Sequence, residues 1–453
     1  MDCRQKNKNT CYGVLKIVSQ VTARSSPTPD MSNAQSLGFP DGSVSQEEKR
    51  LAADNEFKIP ASIHRSLLPS SNISLKALAS FSLPPMLEKS TNHQCTDYFT
   101  ANPPVSITPP VLMRMQHLPM PERSTVKELV EIGAQAWLNG AKSVHYAHLG
   151  DDSKTTTDLP LWTITFWNRV LDTREVRSKW VKCVDWVMVQ LHQKKSEERR
   201  MLAKQAMLYI AALPWDVEKP RGLSDNEPIH SLWRYLGPNW LSGSNQNDLL
   251  ELLRHQLAGQ PDVARKYRVE NTDTAEKLLS VYRSRQQIHY AEERSLEWLR
   301  TLAKDLIQNA ATLIMVQNLT NITGSPHWVP LALSVDKYTL LFGDSLGNGI
   351  PEELRKAYTW WMAQHKITKP ESPTSKKFEA DTPITVNPMS IGRQIDGHAC
   401  GVLANNALHH LIEPNRIPLN SGSTGDVIKE RLQLFNNLSS NIIRRVSVNI
   451  IIK

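Results

Sequence analysis

Three short apolar runs, at 311–317, 328–334 and 338–343, constrain this chain more than any other feature. Each is strand-length, and the last two lie close enough to form a hairpin around Ser334-Val335-Asp336-Lys337. A symmetric turn there pairs Val329 with Phe342, Leu331 with Leu340 and Leu333 with Tyr338, which makes one apolar face. The same register sets His327 opposite Asp344, with Cβ atoms about 5 Å apart. That suits a carboxylate that orients an imidazole and stabilises its protonated form. Val335 is a poor residue for a tight primed turn, and a one-residue slip would carry Asp344 to the other face.

Downstream, Gln394-Ile395-Asp396-Gly397-His398-Ala399-Cys400-Gly401 leads into an apolar stretch that reads as a helix from Cys400 towards Leu411. Cys400 is the only cysteine after Cys183. At a helix N-terminus the dipole favours a thiolate, and a nearby imidazolium favours it further. Gly397 and Gly401 let backbone N–H groups approach a substrate carbonyl, and Gln394 offers a side-chain amide to a developing oxyanion. Taken singly, a cysteine at a helix start is often a small buried hydrophobe, and a His beside an Asp is often only structural. Their conjunction points to a thiol nucleophile.

The rest of the chain supplies boundaries. All 12 tryptophans fall between Trp137 and Trp361, and residues 1–125 carry repeated Pro and Ser. Proline donates no helix or ladder hydrogen bond, so 1–125 reads as mostly disordered, with possible docking pieces near 63–83. Residues 126–228, with large apolar side chains at helical spacing around 161–167 and 180–186, read as a helical Trp-rich subdomain. From 229 to 413 the pattern is α+β: a helix capped by Asn247, one or two helices over 272–309, the three strands, a helix from Pro351 to Gln364 and a short strand at 382–386. Residues 414–453 read as a basic tail, with a β-like stretch at its end.

The formal charge of +8 sits mainly at the termini; residues 229–413 carry 19 basic and 19 acidic side chains. That segment has no basic stripe, so no nucleic-acid partner is expected for it. No apolar run reaches the length of a membrane span, no secretory signal is evident, and five cysteines do not make a disulfide framework. The expected setting is a reducing compartment, nucleus or cytoplasm.

The order His327-Trp328, Asp344-Ser345, then Gln394 six residues before Cys400-Gly401, resembles that of the SUMO-specific and related ubiquitin-like-protein peptidases, the adenain-like clan of cysteine proteases. Asn239-Trp240-Leu241 before a helix resembles that family's Trp-Leu entry motif, and the arrangement also looks like its transposon-associated branch in fungi. The resemblance covers about 229–413. It implies a papain-like cysteine protease fold in which Cys400 is the nucleophile, His327 the general base and acid, Asp344 its orienter and Gln394 an oxyanion donor. Trp240 and Trp328 would line a narrow tunnel that admits a Gly-Gly tail. It implies no metal or cofactor, and a ubiquitin-like modifier, SUMO-like by preference, as partner. Family members usually carry Asp just before the nucleophile, where this chain has Ala399, and an acid after the entry motif, where this chain has Ser242-Gly243. The alternatives are a same-fold peptidase acting on another modifier or a polyprotein, and a catalytically silent binding module.

Overall fold

The structure, a computed structural model, describes residues 54–87, 94–146, 157–194, 196–223, 227–365 and 383–451. The chain divides into two compact units, Met1–Ser70 with Leu78–Lys179, and Ser71–Ala77 with Trp180–Lys453.

Within residues 54–87 and 94–125 the first unit departs from the expected disorder. Over the described residues, helices Ala61–Leu67 and Pro109–His117 form there, and they bury Leu67, Val111 and Met115. Pro109-Pro110 opens its helix rather than breaking one, because the first turn has no N–H to lose. A small antiparallel sheet, Phe99–Thr100, Ser143–Tyr146 and Thr157–Pro160, completes the unit. Residues 1–53 lie outside the described residues.

The expected subdomain at 126–228 is not a unit of its own. The two Trp-bearing stretches form one helix, Trp162–Leu191, and the division falls inside it. Trp162 and Trp167 are buried in the core of the first unit. Trp180, buried in the second, donates through Nε1 to His230 O at 3.1 Å and packs on Phe435.

The second unit is built on a five-stranded sheet, β1 (Tyr267–Val269), β2 (Thr312–Asn318), β3 (Trp328–Ser334), β4 (Thr339–Phe342) and β5 (Thr385–Pro388), paired in that order. β2, β3 and β4 are antiparallel neighbours, and the two edge pairs are parallel. Helices α1 (Glu197–Ala212), α2 (Gly243–Ala258), α3 (Thr272–Arg283), α4 (Glu297–Asn309), α5 (Glu352–Gln364), α6 (Cys400–Ile412) and α7 (Thr424–Ile451) surround it. Leu278, Leu299, Leu306, Tyr358 and Trp361 from α3, α4 and α5 pack on Met315, Leu331, Leu333 and Leu340. On the other face, Leu250 and Leu253 of α2 and Ala404 and Leu408 of α6 pack on Ile314, Val316 and Ala332.

Three local expectations need correction. The hairpin pairs Leu331 with Phe342, Leu333 with Leu340 and Ser334 with Thr339, two residues from the symmetric register. Its loop spans residues 335–338, with Tyr338 in the left-handed region at φ 51° and Ser334 Oγ donating to Asp336. A longer loop spares Val335 the positive φ that a two-residue turn demands. A shift of two keeps the alternation, so the apolar face survives. Helix α2 starts at Gly243, capped reciprocally by Ser242 and Asn245, while Asn247 accepts from Thr272 N at 2.8 Å. Within the basic tail, Thr424–Ile451 is the helix α7, so the end read as β-like is helical to Ile451; Val427, Leu434, Phe435, Leu438 and Ile442, spaced by three, four or seven where they share a face, are buried.

Helix α4 ends on Ala310 in the left-handed conformation, φ 47°. Glycine takes that conformation without a Cβ penalty. Ala310→Gly, at an exposed position, should therefore stabilise the second unit by about 0.5–1 kcal/mol in urea unfolding. A destabilised variant would contradict the assignment of this cap.

Candidate active site

His327 immediately precedes β3, and Asp344 lies two residues past β4, so the hairpin delivers both to one end of the sheet. The ladder no longer pairs them, yet His327 Nε2 lies 2.8 Å from Asp344 Oδ1. Their side chains are 8 % and 2 % exposed. Leu346 N also donates to Asp344 Oδ1, at 2.7 Å. Burial works against the Asp344 carboxylate, but the bonds from His327 and the Leu346 N–H outweigh it and hold the carboxyl below its ordinary range. Burial likewise works against the His327 cation. The hydrogen bonds to Asp344 and to Cys400 win, and the imidazole is pushed up to about 9.

Cys400 is the first residue of α6 and is buried. The first-turn N–H groups of a helix have no intrahelical partner, so they present positive charge at the thiol. No side chain caps this helix from Ala399. Asp396 organises the turn instead, its Oδ1 accepting from His398 N at 2.9 Å and Ala399 N at 2.8 Å. Ala399 leaves no acid next to the nucleophile, and a carboxylate four residues before Cys400 orders the loop.

Gln394 is nearly buried and joins the two halves of the site. Its N–H donates to Ser345 O at 2.8 Å, and Ser345 Oγ donates to its Oε1 at 3.0 Å. The nucleophile loop is thereby fastened to the segment that carries Asp344. Gln394 Nε2 donates to Asp396 O at 2.6 Å and lies 3.5 Å from Asp396 Oδ1.

Trp240 and Trp328 converge on the same loop. Trp240 Nε1 donates to Gly397 O at 2.5 Å. Trp328 is buried and donates to Leu241 O at 2.8 Å. A Cβ at Gly401 would lie 3.3 Å from both Leu241 Cβ and Trp328 Cδ1 and would collide with the Gln246 amide. Gly401 therefore serves close packing against the entry segment, where the sequence suggested room for substrate.

The structure gathers His327, Asp344, Gln394, Cys400, Trp240 and Trp328 within one unit. Sequence reasoning missed Ser345 and Asp396 as loop organisers, though both stand inside the motifs around Asp344 and Cys400. It also missed Arg431, for which the sequence carries no signal. A thiol, an imidazole and a carboxylate in series can pass a proton from sulfur to nitrogen and hold the resulting charge pair.

No protein-family model matches the chain, and no curated protein does. Among solved structures it is similar to the SUMO protease Ulp1 with its catalytic cysteine oxidised to a sulfonic acid, at 13 % identity and a TM-score of 0.36, over 55 % of this chain and 98 % of that one. The C-terminal Ulp1 protease domain in complex with Smt3, the yeast ortholog of SUMO, gives 13 % and 0.36, over 55 % and 97 %. ChlaDub1 from Chlamydia trachomatis gives 14 % and 0.27, over 45 % and 93 %. At these scores the likenesses carry no weight, and the chemistry of the site rests on its side chains.

The His327 ring should titrate near 9 by NMR, and Asp344→Asn should lower that midpoint, because the carboxylate favours the protonated ring. Since the folded value exceeds the ordinary 6.5, this ionisation stabilises the fold fully below 6.5 and loses its effect as pH rises through about 9. A wild-type midpoint at or below 6.5 would refute the pairing. Gly401→Ala should cost about 1–3 kcal/mol in urea unfolding, the usual range for overpacking; an unchanged midpoint would show that the loop relaxes freely.

Proposed function

We propose that this chain is a cysteine peptidase that cleaves after the C-terminal glycine of a ubiquitin-like modifier, with a SUMO-like tail preferred. The observation that carries the reading is the series Asp344, His327, Cys400, with its 2.8 Å carboxylate–imidazole bond and its thiol at the first residue of a helix. The supporting motif is Gln394 six residues before Cys400-Gly401.

In this reading Cys400 Sγ attacks the glycine carbonyl carbon and its proton resides on His327. The oxyanion takes the Cys400 backbone N–H and, once the amide turns from Asp396, a Gln394 N–H. His327 then gives its proton to the departing amine, and a thioester remains on Cys400. Water, deprotonated by His327, hydrolyses the thioester and frees the thiol. Asp344 keeps the ring oriented and offsets its charge throughout. Trp240 and Trp328 flank the loop at Gly397 and Gly401 and would border the slot for the modifier's last residues. The chemistry needs a free thiol, so a reducing compartment, nucleus or cytoplasm, suits it.

Fluorogenic C-terminal substrates of SUMO and ubiquitin, with the matching propargyl probes, test the reading. Hydrolysis of one of them by the wild type, lost in Cys400→Ser with the fold intact, is the expected outcome. A variant that kept most of the activity would be fatal to the peptidase assignment. A Gly-Gly tail should be cut at least about tenfold faster than Ala-Gly, since a Cβ forced into a rigid slot costs roughly 1–3 kcal/mol and 1.4 kcal/mol is one decade. Equal rates would remove the indole slot and favour a different substrate. Labelling by neither probe would favour a silent binding module.

A further inference from the structure

Helix α7 lies outside the segment that carries the motifs, yet it sends one charged side chain to the nucleophile loop. Arg431 is 1 % exposed. Its guanidinium donates to three carbonyls: Arg234 O at 3.1 Å, Asn239 O at 2.7 Å and His398 O at 3.1 Å. Nη2 also lies 3.4 Å from His398 Nδ1. Asn239 is the residue before Trp240, and His398 stands two residues before Cys400. One buried cation therefore ties the backbone beside a candidate indole to the backbone before the candidate nucleophile. Trp240 makes a second tie between the same two segments through Gly397 O.

A side chain chosen for stability alone would be apolar here, because taking a charge out of water costs several kcal/mol. Three carbonyls compensate part of that cost, but its Nε finds no partner among the described residues. Burial lowers Arg431 to about 10 against the opposing pull of Asp396 and Cys400, so it stays charged at neutral pH. Cys400 faces His327 before β3 and Arg431 on α7, and these two face Asp344, Asp396 and His398 in turn.

We propose that Arg431 is a positioning residue of the peptidase site, which fixes the 239–240 segment against the 398–400 segment and supplies, at neutral pH, a positive charge that favours the Cys400 thiolate. This rests on the peptidase reading, since positioning has meaning only for a reacting thiol. Its test does not need a substrate.

Full-length wild type, Arg431→Lys and Arg431→Met are alkylated with iodoacetamide across pH, and the rate at Cys400 is read by peptide mass spectrometry. Arg431→Met should move the alkylation midpoint upward by about one unit, the size of effect expected from losing one nearby charge. Arg431→Lys keeps the charge but not the fork, so its midpoint should stay close to wild type. On whichever substrate the wild type cleaves, both variants should lose kcat by about tenfold or more with KM little changed, as expected of misplaced reacting groups. A folded Arg431→Met protein with the wild-type midpoint overturns the proposal. If that variant does not fold by far-UV circular dichroism, the wild type decides. In [15N]arginine-labelled protein, the Arg431 Nη resonances should shift through the midpoint at which Cys400 ionises, and no shift overturns the proposal. A wild type that cleaves nothing would refute the peptidase reading and leave the alkylation result on Arg431 intact.

Discussion

Strand β3 is buried along its whole length, and the site depends on that burial. Seven residues pair with β2 on one side, from Thr312 with Ser334 to Asn318 with Trp328, and four pair with β4 on the other. Helices cover both faces. A strand so held cannot slide by one residue without moving every side chain to the opposite face, where different helices pack. His327 sits one residue before it and inherits its rigidity. The imidazole can therefore face a buried carboxylate at 2.8 Å without a long flexible tether.

The site's second half is a loop that takes its shape from polar bonds. Asp396 ties its own turn, Ser345 ties Gln394, and Arg431 ties His398 to Asn239. Each bond closes a different gap: within the loop, from loop to strand end, and from loop to entry segment. The packing contribution is a close approach at Gly401, where the Gln246 amide leaves no room for a Cβ and Leu241 and Trp328 stand tightly against it. Packing on one side and hydrogen bonds on the other fix the thiol at the helix end, beside backbone N–H groups and His327.

Much of the candidate site was legible because it is carried by short segments. His327-Trp328, Asp344-Ser345 and the interval from Gln394 to Cys400 stand in the sequence as written. The hairpin register was not legible, because it depends on a loop that places Tyr338 at positive φ, an arrangement the propensities of Tyr do not announce. The elements within 54–87 and 94–125 were missed for a related reason: Pro109-Pro110 looks like a breaker until it is seen at the first turn of a helix.

The sequence by itself determined the three central strands, the helix that opens at Cys400 and the apolar faces of the sheet, because periods of two and 3.6 residues are written among neighbours; it missed the edge strand β1. It did not determine where α7 packs. Arg431 meets Arg234 and Asn239 across nearly 200 residues of chain. Which buried carbonyls accept from a cation is settled only when every other layer of the core is in place. The tertiary structure therefore decided that a basic C-terminal stretch reaches the backbone before Cys400, since a charge leaves water only where the folded chain has already prepared acceptors for it.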